Sequence, residues 1–298
     1  MHKKDLKIKE AAICFSGQVN HLELCLPFIK KNLLDNLESY DIFCYAEDDK
    51  NLLKVKLLNP KEIKKIKSSQ VDKLILPKLN TIDKENYINY IFPKSFRFNF
   101  RNIYQQLFKI KGSLLILEKY MKKNKTSYKY FIRIRFDFLP INSINPKKFK
   151  ISKNEIITPS IKGLNTKYKI NDMFAITSDF RTFKKYCQIY DHFEEIIKTK
   201  LKVKKTLIQQ IYFRSEKYYS NFFFFFFNGL FKGKIARNLL GLFLSLPKLF
   251  YKEFKIKNRA DLETVFYQYL ISENKIVKDK PMDFIIVRSP MDGLLILG

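Results

Sequence analysis

Between residues 101 and 138 the apolar side chains change their spacing once, and that change limits the folds open to the chain. Ile103, Leu107, Ile110, Leu114, Leu117 and Met121 recur at alternating steps of four and three. That spacing puts them on one face of a helix of about six turns. From Phe131 onward the period falls to two. Ile132, Ile134, Phe136 and Phe138 then share one face of an extended strand, and Arg133, Arg135 and Asp137 share the other. A long helix feeding directly into a strand is the building unit of an α/β fold.

The rest of the chain repeats the alternation. Ala11-Ala12-Ile13-Cys14-Phe15 is a short apolar run ended by Ser16-Gly17-Gln18, which predicts a buried strand and a tight loop. Residues 26–37 read as a helix with Pro27 in its first turn. Residues 40–46 read as a second strand, and Lys73-Leu74-Ile75-Leu76 as a third. Residues 172–177 form another strand. Phe183, Cys187, Tyr190, Phe193 and Ile197 mark a helix, residues 261–274 a further helix, and residues 284–287 a last strand. The expectation is a mostly parallel sheet flanked by helices on both faces.

Residues 198–258 break the pattern. Between 198 and 257 there are fourteen Lys or Arg against Glu216 and Glu253, and six Phe in a row occupy 222–227. The expected organisation is an α/β core over 1–197, a basic, Phe-rich helical insertion over 198–258, and a helix and strand over 259–298 that return to the core.

The 298 residues carry 46% hydrophobic content, enough for a sizeable core and too much for wholesale disorder. A net charge of +28 calls for an anionic partner. Only nine of the 57 basic residues are Arg, however, and no nucleic-acid-binding motif is present. Nucleic-acid sites favour the planar Arg fork, so that partner is not favoured here. Cys14, Cys25, Cys44 and Cys187 lack CxxC spacing, and Cys14 and Cys44 fall in apolar runs that predict buried thiols. His2, His21 and His192 make no zinc pattern. Residues 1–10 are polar, without the apolar segment of a secretory signal, which leads to the expectation of a cytoplasmic chain.

The chemistry concentrates on the polar face of the strand over 131–138. Two guanidiniums side by side need anions to compensate them where they are buried. Asp137 supplies one, and a bound diphosphate would supply the rest. A carboxylate at a strand end also suits Mg²⁺ or Mn²⁺, which take oxygen donors and bridge phosphates. An exposed edge strand with a solvated salt-bridge ladder explains the same residues. Both readings stand on the residues alone. Ser16-Gly17-Gln18 lies where α/β proteins bind ligands, although a lone Gly also serves plain loop geometry. Asp172 either faces the same cleft or is a turn residue. Glu263 reads equally as a carboxylate favoured by a helix N-terminus. Glu47-Asp48-Asp49 is expected to be a solvated loop.

With these pieces in order, the chain resembles bacterial glycosyltransferase-like proteins of capsule and lipopolysaccharide gene clusters. The matching residues are Ser16-Gly17-Gln18, Tyr40-Asp41-Ile42-Phe43, Tyr104-Gln105-Gln106, Arg133-x-Arg135-x-Asp137, Asn171-Asp172-x-Phe174-Ala175-Ile176, Leu262-Glu263 and Ile286-Val287-Arg288. They cover roughly residues 11–197 and 259–288. The resemblance implies a GT-A-like, nucleotide-binding sheet and transfer of a sugar from a nucleotide-sugar donor to a cell-surface glycan or lipid-linked precursor. On it, Ser16, Gly17, Gln18, Arg133 and Arg135 bind the donor, Asp137 holds a divalent metal (Mn or Mg), and Asp172 and Glu263 are the candidate catalytic bases. Two departures are visible. No Asp-x-Asp pair is present, since Phe138 and Leu139 follow Asp137, and Asn20 stands where an Arg is usual. A non-catalytic, membrane-associated subunit of an envelope-polysaccharide assembly complex is the alternative. Residues 220–252 are too interrupted by Lys and Arg to span a bilayer. Their Leu, Phe and Lys content instead predicts peripheral docking on an anionic membrane surface, at the inner face of the cytoplasmic membrane.

Overall fold

The computed structural model describes residues 7–80, 100–159, 172–200, 262–280 and 282–287. The chain divides into two compact units. One comprises Met1–Ile82, Phe98–Lys200 and Asp261–Gly298, and the other Asp83–Arg97 and Leu201–Ala260. All described residues belong to the first, so the Phe-rich insertion and its expected membrane docking lie outside them.

Seven strands form one sheet in the order β3-β2-β1-β4-β7-β6-β8. They are β1 (Lys7–Gly17), β2 (Tyr40–Glu47), β3 (Glu62–Ile66), β4 (Thr126–Ile134), β6 (Glu155–Pro159), β7 (Phe174–Thr177) and β8 (Ile276–Lys280). Pairs β1–β2, β1–β4, β2–β3 and β6–β8 are parallel, and β7 runs antiparallel to β4 and β6. The expected mostly parallel α/β sheet is what the chain forms. The helices are α1 (Leu22–Asn32), α2 (Ser68–Asn80), α3 (Phe100–Asn124), α4 (Phe180–Cys187), α5 (Ile189–Lys200) and α6 (Leu262–Ser272).

The period-two apolar residues of β4 and of the segment that follows it lie on one side of the sheet. Ile132, Ile134, Phe136 and Phe138 are buried in one cluster with Ile13 and Phe15 of β1 and Leu22, Leu26 and Ile29 of α1. On the other face α3 packs across β1 and β2. There Phe43 meets Tyr120 at 5.1 Å, and Tyr45 meets Phe108 at 6.2 Å, between ring centroids. At Gly112 of α3, an added Cβ would run into the Tyr45 ring, so the helix approaches β2 closely at that point.

Several elements differ from the sequence expectation. Residues 73–76 lie in α2, not in a strand, with Val71 and Ile75 buried one turn apart and Leu74 exposed. A short apolar run does not by itself separate strand from helix. The third parallel strand is instead β3, whose Glu62-Ile63-Lys64-Lys65 stretch is exposed at the sheet edge and so carries no apolar signature. The strand expected through Phe138 stops at Ile134. Phe138–Pro140 (β5) then pairs antiparallel with Phe284–Ile286 (β9) in a separate two-stranded sheet. The helix expected over 183–197 is two helices, with Gln188 between them. Because β4 is hydrogen-bonded to β1 on one side and β7 on the other, the edge-strand ladder does not describe it.

Candidate donor site

The C-terminal ends of the parallel strands β1 and β4 and the first turns of α3 enclose a cavity of about 290 Å³. Strand-side residues on its wall are Ser16, Gly17, Gln18, Asn20, Arg133, Arg135, Phe136 and Asp137. Helix-side residues are Asn102, Gln105, Gln106 and Lys109. Such strand ends are where open α/β sheets take ligands. Gly17 ends β1 with φ 130°, a backbone conformation that side chains disfavour. No atom lies within 4 Å of the Cβ position there, so the backbone is open to close approach.

Arg133 is fully buried, and none of its three guanidinium nitrogens has a hydrogen-bond partner. The Ser16 hydroxyl, on the same wall, is also buried without a partner. Burial lowers the Arg133 guanidinium below its usual range, only partly opposed by Tyr186 and Asp172. A buried, unpaired cation is costly unless a counter-ion completes it. The wall therefore holds a guanidinium and a hydroxyl that are buried at its base without hydrogen-bond partners.

Arg135 is held differently. It sits just past the end of β4, where its amide N–H donates to the Met173 carbonyl at 3.1 Å. Its Nε donates to Asp137 Oδ1 at 2.8 Å and its Nη2 to Asp137 Oδ2 at 2.6 Å. Its Nη1 lies 3.6 Å from Asp172 Oδ2, an oxygen that also accepts from the Gln106 amide. Burial would lower the Arg135 guanidinium, but the charge and hydrogen bonds of Asp137, and then of Asp172, raise it. Asp172 is buried behind Arg135 and is not part of the cavity wall.

Lys109 forms a buried ion pair with Glu47 at the end of β2, and Ser68 at the start of α2 donates to the same carboxylate. Burial would raise the Glu47 carboxyl, but the hydrogen bonds from Lys109 and Ser68 and the Lys109 charge bring it below 4.5. Glu47 is thus part of the site's support, not the solvated loop residue expected from its acidic neighbours.

The structure brings Ser16, Gly17, Gln18, Arg133, Arg135 and Asp137 to one cavity and sets Asp172 beside them. Glu263 falls on α6, and its side chain is outside the described residues, as is Asn171. The resemblance puts a metal on Asp137. Both oxygens of Asp137 are taken by Arg135, and Asp172 is turned to the same cation and to Gln106. Among the described residues, no group of three or more His, Cys, Asp or Glu is placed to hold a metal ion. These donors fit a guanidinium and do not fit a resident divalent ion.

Asn102 and Lys109 carry no expectation from the sequence, and Gln105 and Gln106 enter only through the Tyr104-Gln105-Gln106 motif of the resemblance, with no role at the site. Their spacing of three, one and three places them on one helical face beside the apolar stripe of α3. That polar stripe at the start of the clearest helix was the available signal.

A family model described as "Domain of unknown function (DUF7796)" matches residues 6–199. No curated protein matches the chain. Among solved structures, the apo form of mouse xyloside xylosyltransferase 1 aligns at 8% identity and a TM-score of 0.40, covering 92% of this chain and 85% of that one. The galactosyltransferase LgtC, in complex with donor and acceptor sugar analogues, aligns at 12% and 0.36, covering 65% of this chain and 66% of that one. The apo glycosyltransferase GlyE of Streptococcus pneumoniae TIGR4 aligns at 10% and 0.31, covering 66% of this chain and 40% of that one. Overlaps this loose assign no activity to the chain.

Proposed function

This chain belongs to the DUF7796 family, and we propose that it transfers a sugar from a nucleotide-sugar donor to a cell-surface glycan or its lipid-linked precursor. The observation that carries the reading is the buried, unpartnered Arg133 guanidinium on a cavity at parallel strand ends. An anion is the ligand that satisfies it, and a diphosphate fits a wall that also offers Arg135, the Ser16 hydroxyl and the open Gly17 backbone.

In the reaction the acceptor hydroxyl attacks the anomeric carbon of the donor sugar. The bond from that carbon to the diphosphate oxygen breaks, the nucleoside diphosphate leaves, and the hydroxyl proton passes to a base. Arg133 and Arg135 stabilise the charge that develops on the leaving diphosphate. Glu263, on α6, is the carboxylate proposed for the proton, and Asp172, off the cavity wall, is proposed to help hold Arg135. The acceptor is proposed to belong to capsule or lipopolysaccharide assembly, on the motifs shared with those proteins. The basic, Phe-rich stretch of residues 198–258 is proposed to dock the chain peripherally on an anionic membrane surface near that acceptor. Among the described residues, no helix is long and apolar enough to cross a membrane.

Thermal denaturation against a panel of nucleotide sugars tests the donor assignment. One of the panel should raise the midpoint for the full chain and leave Arg133→Met unmoved. A panel with no effect on the full chain, or an equal shift in both proteins, would overturn it. Co-sedimentation with anionic and neutral vesicles tests docking, and equal partition into both would count against it.

A further inference from the structure

We propose that Arg135 occupies the place of a divalent cation, so that the site binds a diphosphate through arginines and without a metal. The proposal rests on the donor-site reading above and extends it to the ion that accompanies the diphosphate. A metal at this strand end would need Asp137, with Asp172 as a second carboxylate. Both already face one guanidinium, Asp137 through two hydrogen bonds of 2.8 and 2.6 Å and Asp172 across 3.6 Å. For a divalent ion to enter, it would have to displace a cation that makes two parallel charge-assisted bonds. Arg135 also lines the cavity, so the same guanidinium that replaces the ion at the carboxylates is available to a phosphate oxygen. Arg133 supplies a second, unpaired guanidinium two residues earlier in the chain. Arginine is charged at all working pH values and offers planar donors that match phosphate geometry. Two such groups supply to a diphosphate the positive charge a metal would otherwise bring.

The test uses the full chain, inorganic pyrophosphate and Mn²⁺. Calorimetry of pyrophosphate binding in EDTA and in excess Mn²⁺ should show binding in EDTA that Mn²⁺ does not strengthen. Electron paramagnetic resonance of Mn²⁺ titrated into the protein alone should show no bound ion that Asp137→Asn removes. Arg135→Ala, which frees both carboxylates, should weaken pyrophosphate binding in EDTA by about tenfold or more. It should also create a Mn²⁺ signal absent from the parent chain. Pyrophosphate binding that requires Mn²⁺, no pyrophosphate binding in either condition, or a parental Mn²⁺ site lost in Asp137→Asn would each overturn the proposal, whether or not Arg135→Ala folds. Metal-free pyrophosphate binding with no response to any nucleoside diphosphate would leave the arginine assignment standing and remove the nucleotide-sugar reading instead.

Discussion

Arg135 and Asp137 meet through two hydrogen bonds, Nε to Oδ1 at 2.8 Å and Nη2 to Oδ2 at 2.6 Å, across the turn that ends β4. The fork-on-carboxylate geometry fixes where the guanidinium points. Arg133, two residues earlier, is buried with no such partner. One arginine of the motif is therefore braced by the protein, and the other is left without a hydrogen-bond partner.

That difference makes Arg133 costly to the empty protein. Arg133→Met should raise stability by about 1–4 kcal/mol, because a buried unpaired charge gives way to an apolar side chain of similar length. It should also abolish pyrophosphate binding. Denaturation with and without pyrophosphate checks both at once, and a destabilised variant with unchanged affinity would contradict the assignment.

On the proposed diphosphate site, Asp137 acts on the ligand through Arg135. Asp137→Asn should weaken pyrophosphate binding by about 1–2 kcal/mol, the worth of one charge-assisted bond lost from the brace. Asp172→Asn, acting across 3.6 Å, should cost less. Calorimetric affinities of the two variants give the order, and the reverse order would place the brace on Asp172.

The Glu47–Lys109 pair makes stability depend on pH. The Glu47 carboxyl lies below its ordinary 4.5 in the folded chain. Its contribution is therefore fully present above about 4.5 and lost as pH falls through the lower folded value. Lys109→Met should cost about 2–4 kcal/mol at pH 7, where it strands a buried carboxylate. The penalty should shrink toward pH 4, because without Lys109 burial raises the Glu47 carboxyl of the variant, which then takes up a proton. Denaturant titrations of both proteins at the two pH values measure it, and a constant penalty would remove Glu47 as the cause.

At Gly112, α3 comes close to the Tyr45 ring of β2. Gly112→Ala should gain up to about 1 kcal/mol in helix propensity. It should lose about 1–3 kcal/mol by forcing the buried Tyr45 ring to move. The expected result is a net loss, relieved when Tyr45→Ala is added. A more stable single variant would show that the ring moves freely.

The residues themselves carried the α/β class, the long helix α3, the two faces of β4 and the association of Arg133, Arg135 and Asp137. These follow from local spacing, because side-chain direction in a helix or strand is set by the backbone repeat. Local spacing failed where no buried face imposed a pattern. β3 is an exposed, Lys-rich edge strand, and the short run at 74–76 fits either period. Only the tertiary structure decided that β4 is interior, that Glu47 is buried against Lys109, and that Asn102, Gln105, Gln106 and Lys109 face the strand ends. Each of those depends on which segment lies opposite, and the partners are far apart in sequence. It also separated two arginines that look equivalent in the motif. Arg133 lies within the strand, where its side chain is buried without a hydrogen-bond partner, while Arg135 lies past the strand end, where the turn carries Asp137 back to meet it.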